Sequence, residues 1–378
     1  MAISIARKTL LHEWRRFLPA VVAVAFSGVL IISQGALLIG IVGANALYVT
    51  QSTADIWVGF RGTQSVELGR PILADTITNF FVDPAVARME PFLLGSGDWR
   101  SAKEKGGTSV TVVGIDTAFD GLGLTHIVSA NLRGALREPG AVVIDAADSS
   151  KLSTSSGDTA EINGRKVKVI GLINGLRGLG GVNVVGSLDT ARLIDRTLPS
   201  DTGATYFIGR LTDPDSEVST VSELQRTSLS PRTEIWRSQT LADLSTNYML
   251  MESGAGIAFI FATLIALVIG TLITSQTLLA AVNGNIAQYA TLRALGVPFQ
   301  GLQSIVLEQA AWVGLCGLAV STFVSVTIAA IANAYRVPFE FRISILLGAS
   351  AVLFIVAMVA GLLAIRRLRG VDPATLLR

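Results

Sequence analysis

Four stretches of this chain run without a charge for longer than a bilayer core is thick, and no other feature limits its fold as strongly. After Arg16 the next charged residue is Asp55, and between them lies LPAVVAVAFSGVLIISQGALLIGIVGANALYV. That exceeds the roughly 20 residues a helix needs to cross the hydrocarbon core. A second charge-free stretch separates Glu252 from Arg293, with GIAFIFATLIALVIGTLITSQTLLAAV as its most apolar part. A third runs from Gln309 to Tyr335. The fourth, ISILLGASAVLFIVAMVAGLLAI, is closed by Arg342 on one side and by Arg366 with Arg367 on the other. The first stretch is too long for a signal-peptide core of about 7 to 15 residues. It reads as a retained anchor that continues past the membrane, with Gln51 and Ser52 already outside.

Composition agrees with four spans. Half of the residues are apolar, 15% are charged and the mean hydropathy is +0.56, too apolar a balance for a soluble domain. The net charge of +2 is not gathered into a basic stripe interleaved with aromatics, so nucleic acid is not a predicted partner. Basic residues instead flank the spans. Arg7, Lys8, Arg15 and Arg16 precede the first, and Arg366, Arg367, Arg369 and Arg378 follow the fourth. Such flanks stay cytoplasmic, so both ends are expected inside.

The resulting organisation is a cytoplasmic segment at 1–16, spans at 17–51, 254–282, 304–334 and 343–365, and an extracytoplasmic domain at 52–250. An inner loop occupies 283–303, a short outer connection 335–342 and a cytoplasmic tail 366–378. The outer segment is expected to be a mixed α/β domain. Thr108 to Ile115, Ala141 to Asp145 and Lys166 to Ile173 are β-branched runs bounded by turn residues. Helices are expected at Asp83 to Met89, where Asp and Pro suit an N-cap and first position, and at Ser187 to Ile194. LSTSSGD at 152–158 and GLRGLGG at 175–181 read as loops, the second as a flexible one.

The inner loop reads NGNIAQYATLRALGVPFQ, with Ile286, Tyr289, Leu292 and Leu295 at helical spacing before Gly296 and Pro298. AQYATLRALG, at 287–296, resembles the signature of FtsX/MacB-type ABC transporter permeases, although the acid that usually opens it is missing here. The ending AIRRLRGVDPATLLR resembles that family's C-terminus, with Asp372 and Pro373 suited to open a short helical turn. EPGAVVIDAADSSKL and SGDTAEINGRKVKVIGLI resemble the MacB-like periplasmic core domain, with Gly157, Asp158, Gly164 and Gly171 expected at turns. STADIWV at 52–58 is similar to the start of that domain in the DevC-like branch associated with glycolipid export.

The resemblance implies a homodimer of permeases, an ABC ATPase subunit that binds and hydrolyses the ATP, and a periplasmic adaptor as a further partner. It places the ATPase contacts at Ile286, Tyr289, Leu292, Arg293, Ala294, Leu295 and Gly296, and at Asp372, Pro373 and Leu376. The expected function is export or extrusion of a lipid, glycolipid, peptide or drug-like substrate. The alternative is a non-transporting mechanotransmitter or sensor that regulates an envelope hydrolase or signalling partner.

No catalytic, cofactor or metal site is expected in the chain itself. The sequence lacks G-x-x-x-x-G-K-[ST], a nucleophile elbow and a dinucleotide fingerprint. His12 and His126 lack metal-pair spacing, and the lone Cys316 reads as a packing residue. Glu308 reads as a boundary carboxylate near the cytoplasmic side of the third span. Thr263, Thr271 and Thr274 of the second span, and Gly28, Gly35, Gly314 and Gly317 of the first and third, read as helix-packing residues.

Overall fold

The computed structural model describes residues 12–103, 106–177, 181–227, 230–252, 254–284, 291, 297–334 and 343–368. It divides into two compact units. One comprises residues 1–40 with 256–378, and the other residues 41–255.

The first unit holds helices long and apolar enough to cross a membrane, built from Trp14–Asn45, Ala255–Gly284, Phe299–Ala334 and Ile343–Leu368. Large apolar side chains remain exposed on them, including Phe26, Ile260, Leu264 and Phe323. In water such surfaces would drive aggregation. Facing lipid, they cost nothing.

The second unit is a mixed α/β domain inserted between the first and second membrane helices. Its strands are β1 (Ile56–Phe60), β2 (Ile72–Leu73), β3 (Val86–Ser101), β4 (Thr108–Ile115), β5 (Ala141–Asp145) and β6 (Thr159–Ile162). They continue with β7 (Arg165–Ile173), β8 (Val182–Ser187), β9 (Gly203–Ala204), β10 (Tyr206–Leu211) and β11 (Thr233–Arg237). The main sheet runs β11-β1-β10-β3-β4-β8-β5-β7-β6, and a further β3–β6 pairing closes six of its strands into a ring. The β4–β8 and β5–β7 pairs are parallel. Alternation along the strands gives the sheet two apolar faces. Val110, Val112, Ile144 and Val184 pack on one, with Leu93, Trp99, Ala191 and Ile194. Trp57, Val113, Val143 and Val185 pack on the other, with Leu47, Tyr48, Leu124 and Leu241. On this second face Trp57 meets Phe92 and Tyr206 edge-on, at centroid distances of 5.2 and 5.4 Å.

The strands at 108–115, 141–145 and 165–173 lie where β-branched runs predict them. The expected helix at 187–194 forms over Leu188–Ile194, capped by the Ser187 side chain, which accepts the Thr190 N–H. The expected helix at Asp83 to Met89 does not form. Asp83 does cap a turn, accepting the Ala85 N–H at 2.9 Å, but β3 begins at Val86 because Val86 pairs with Leu211 of β10. Cross-strand pairing overrides the local helix-start signal. Gly157 and Gly164 adopt the left-handed conformation expected at turns. Gly171 does not, and stands inside β7, where a Cβ would come within 2.7 Å of Leu132. The start of the glycine-rich loop is anchored. Leu176 is buried, its N–H donates to Asp145 at 2.8 Å and its carbonyl accepts from Asn183 at 2.7 Å.

Candidate functional site

The membrane helices meet through small residues. Phe17, Ala20 and Val24 of the first, Leu278 and Ala281 of the second, Ala310 and Val313 of the third, and Ala360 and Ala364 of the fourth form one buried cluster. Glycines bring the backbones closer still. A Cβ on Gly28 would lie 2.6 Å from the Ser321 Cβ and 2.8 Å from Leu353, and one on Gly317 would lie 2.6 Å from Val24. In lipid no hydrophobic force separates helix from tail, so association rests on such contacts and on interhelical hydrogen bonds. The Ser27 hydroxyl donates to the Ala266 carbonyl at 3.0 Å, and the Thr263 hydroxyl donates to Gln34 Oε1 at 2.8 Å. Thr271 turns back on its own helix, donating to the Leu267 carbonyl at 2.7 Å. Thr263 therefore acts as a packing residue, and its partner Gln34 has no signal in the sequence beyond being polar within an apolar run.

Toward the loop that joins the second and third membrane helices, Val282, Leu302 and Val306 form a separate buried cluster, with Val297, Ile305 and Leu307 against it. This ties the two flanking helices together. Arg16 approaches Gly284, the last residue of the second helix, so that a Cβ there would meet its Nη1 at 2.8 Å. A guanidinium at a helix C-terminus faces unpaired carbonyls and the negative end of the dipole. The same Arg16 pairs with Glu13 at 3.1 Å. Of the expected coupling residues, Ile286, Tyr289, Leu292, Arg293, Ala294, Leu295 and Gly296 all lie outside the described residues, as do Asp372, Pro373 and Leu376. Between the first seven, only Thr291 is described, helical and exposed. Glu308 is half-buried on the third helix. Cys316, expected to pack inside, is exposed.

A cavity of about 450 Å³ opens among the first, second and fourth membrane helices, with Ile31, Leu38, Phe259, Leu267, Ile345 and Val352 in its wall. Its lining is almost wholly apolar apart from the Gln34–Thr263 pair.

The α/β domain carries a charged network of its own. Glu90, 2% exposed, accepts the N–H groups of Leu122 and Gly123 at 2.7 and 3.0 Å and pairs with Arg88 at 3.2 Å. Arg88 also reaches Asp116 at 2.9 Å and contacts Asp120. Burial raises the Glu90 carboxyl, opposed by those two N–H donors and Arg88, while the exposed Asp120 is held below the ordinary aspartate range by its hydrogen bond to Arg88. These groups pin the 116–124 segment. Among the described residues no group of three or more metal-ligating side chains occurs.

Residues 260–373 match the FtsX-like permease C-terminal family. No curated protein matches the chain. Among solved structures, the periplasmic region of MacB from Actinobacillus actinomycetemcomitans aligns at 13% identity and a TM-score of 0.35, covering 52% of this chain and 94% of that one. The extracellular domain of the noncanonic ABC-type transporter YknZ from Gram-positive bacteria aligns at 15% identity and the same TM-score of 0.35, covering 48% of this chain and 99% of that one.

Proposed function

We propose, for a chain that residues 260–373 make an FtsX/MacB-type ABC permease, that it converts the motion of a separate cytoplasmic ATPase into export or extrusion of a lipid, glycolipid, peptide or drug-like substrate. The family match carries this reading, because it takes in the second, third and fourth membrane helices together with the segment that joins the first two of these. In the proposed arrangement Leu292, Leu295 and their neighbours meet the ATPase, aided by Asp372, Pro373 and Leu376. Both termini are cytoplasmic and the α/β domain lies outside, as the basic flanks Arg15, Arg16, Arg366 and Arg367 support. A second copy completes the permease, and a periplasmic adaptor receives the cargo. The similarity of STADIWV to the DevC-like branch favours a glycolipid among the possible substrates.

Physically, the proposal needs a stiff element next to the grip. Phe299–Ala334 is a helix of 36 residues. At about 1.5 Å per residue it spans about 54 Å, well beyond a bilayer core of about 30 Å. The Val282–Leu302–Val306 cluster joins it to the second helix beside the loop, so a push on that loop would be shared by two helices.

The test is to replace Leu292 and Leu295 together by Asp and to co-purify the chain with its ATPase. Loss of permease-stimulated ATP hydrolysis, with membrane insertion intact, is the expected result, and unchanged stimulation opposes the reading. Reconstituted vesicles then distinguish export from regulation. ATP-dependent extrusion of a labelled lipid supports the permease as a transporter. Without extrusion, ATP-dependent activation of an envelope hydrolase would move the reading to a mechanotransmitter or sensor.

A further inference from the structure

A polar row crosses three strands of the α/β domain at the margin of its apolar core. Ser96 of β3 lies opposite Thr111 of β4, and Thr111 lies beside Asn183 of β8. Residues in register on neighbouring strands point to the same face, about 4.8 Å apart. Two positions along, the same face carries Leu94, Val113 and Val185, which belong to or pack against the apolar core. Two positions the other way it carries Asp98 and Ser109, both exposed, so the row marks the border where the apolar face gives way to a polar rim.

Its members are held in place. The Tyr48 hydroxyl donates to Asn183 Oδ1 at 2.8 Å, while Asn183 Nδ2 is taken up by the Leu176 carbonyl. Both Tyr48 and Asn183 are 2% exposed. With Glu67 and Asp195 they line a cavity of about 410 Å³, within the range of small-molecule sites, about 300–1,000 Å³. Gly95 and Gly181 form part of its wall, and a Cβ on Gly95 would come within 2.8 Å of Asp195 Oδ2.

The charge of the cavity selects the ligand. Among the described residues two carboxylates line it and no Lys, Arg or His does. Asp195 is already engaged, accepting the Ser96 N–H at 2.8 Å and both the N–H and hydroxyl of Thr197 at 2.9 and 2.7 Å. Glu67 is different. Among the described residues no hydrogen bond or ion pair reaches its carboxylate. The residue is exposed, yet neighbouring protein partly desolvates its carboxyl and raises it above the ordinary range. A carboxylate in that setting gains most from a cation that brings its own hydrogen-bond donors.

We propose that this cavity binds a small hydroxylated primary amine of amino-sugar size, its ammonium on Glu67 and its hydroxyls along Ser96, Thr111 and Asn183. The pairing uses each polar group for what it can do. Glu67 accepts from the ammonium, the Ser96 hydroxyl donates or accepts, the Thr111 hydroxyl, which is hydrogen-bonded to Tyr48, accepts, and the locked Asn183 amide fixes the orientation of the row. A site built to hydrogen-bond a group rejects analogues that lack it, because its own polar atoms are then left unpaired. Binding here is independent of whether ATP drives export.

The experiment is calorimetric titration of the full chain in nanodiscs at pH 7 with glucosamine, glucose and N-acetylglucosamine. The last retains the nitrogen but not its positive charge. Saturable glucosamine binding is expected, with the two neutral sugars at least about tenfold weaker, the scale of one charge-assisted hydrogen bond. Glu67→Gln should weaken glucosamine by a similar factor, and Thr111→Val should weaken it less. Unchanged thermal unfolding of each variant shows that the domain is intact. Absence of glucosamine binding, equal binding of all three sugars, or a Glu67→Gln variant that binds like the parent would each overturn the proposal.

Discussion

The Ser96 main-chain N–H donates to the Asp195 carboxylate at 2.8 Å, and this side chain stands where a neighbouring strand would otherwise be. On one edge β3 pairs with β10 as far as Phe92 and with β6 from Trp99 onward. Between these, three side chains replace the missing ladder. Thr205 accepts from Leu94 N–H at 3.0 Å, Asp195 from Ser96 and Asn163 from Asp98 at 2.9 Å. Asp195→Ala leaves a strand N–H without its acceptor, at a cost of roughly 1–3 kcal/mol. Asp195→Asn keeps an acceptor and should cost less. The buried Trp57 and Trp99 provide a fluorescence signal for thermal unfolding. Equal stability of the two variants would show that the edge is not held in this way.

Arg133 holds the 116–124 segment by its carbonyls, as Glu90 holds it by its N–H groups. Its side chain is 2% exposed and donates to the Asp116 carbonyl at 2.6 Å and to the Gly123 carbonyl. Arg133→Met orphans both acceptors and should destabilise the domain by roughly 2–5 kcal/mol. Arg133→Lys should recover only part of this, since a single ammonium cannot reproduce the planar fork. Hydrogen exchange at the Leu122 and Gly123 amides reads the effect locally. Their protection should fall in both variants.

Asp148 makes part of the stability depend on pH. It is 3% exposed, its Oδ2 meets no hydrogen-bond donor among the described residues, and its Oδ1 is 3.8 Å from Arg177 Nε. Burial raises its carboxyl, Arg177 opposes the rise and Asp145 adds to it. A folded-state pKa above the unfolded one means that the native chain holds the proton more tightly. The resulting stabilisation is full below the unfolded value, about 3.9, and is lost as pH rises through the raised folded value. Asp148→Asn should therefore match or exceed the parent in stability at pH 7 and lose that relative advantage as pH falls toward about 4. Parallel unfolding curves at every pH would contradict this.

Different parts of the molecule were legible in the sequence to different degrees, and the reasons are physical. A membrane helix must supply its whole apolar length from one segment, so the four charge-free runs announce themselves. Strands such as Thr108–Ile115 and Ala141–Asp145 are short apolar runs with clear ends. Asp83 and Pro84 misread as a helix start because what opposes a helix there, the pairing of Val86 with Leu211, lies far along the chain. The row Ser96, Thr111 and Asn183 was invisible for the same reason. Each is one polar residue within its own strand, and only the sheet register places them side by side. The coupling positions around Leu292 and Leu295 rest on a motif and on helical spacing, since they lie outside the described residues.

Close approach at Gly28 sets the packing of the membrane unit, and a pair of glycine variants tests it. A Cβ at Gly28 would lie 2.6 Å from the Ser321 Cβ and 2.8 Å from Leu353 Cδ1, whereas at Gly348 a Cβ would meet nothing within 4 Å among the described residues. Gly28→Val therefore forces helices apart and should destabilise the unit by roughly 1–3 kcal/mol, the usual cost of overpacking. Gly348→Val adds the same atoms beside the 450 Å³ cavity that Gly348 lines. With free space to occupy, it should change stability by no more than about 0.5 kcal/mol, the scale of a substitution away from tight contacts. Unfolding of the detergent-solubilised chain by increasing sodium dodecyl sulfate, followed by circular dichroism, compares the two directly. Equal midpoints would mean that the first, third and fourth helices do not meet at Gly28 as closely as these distances require.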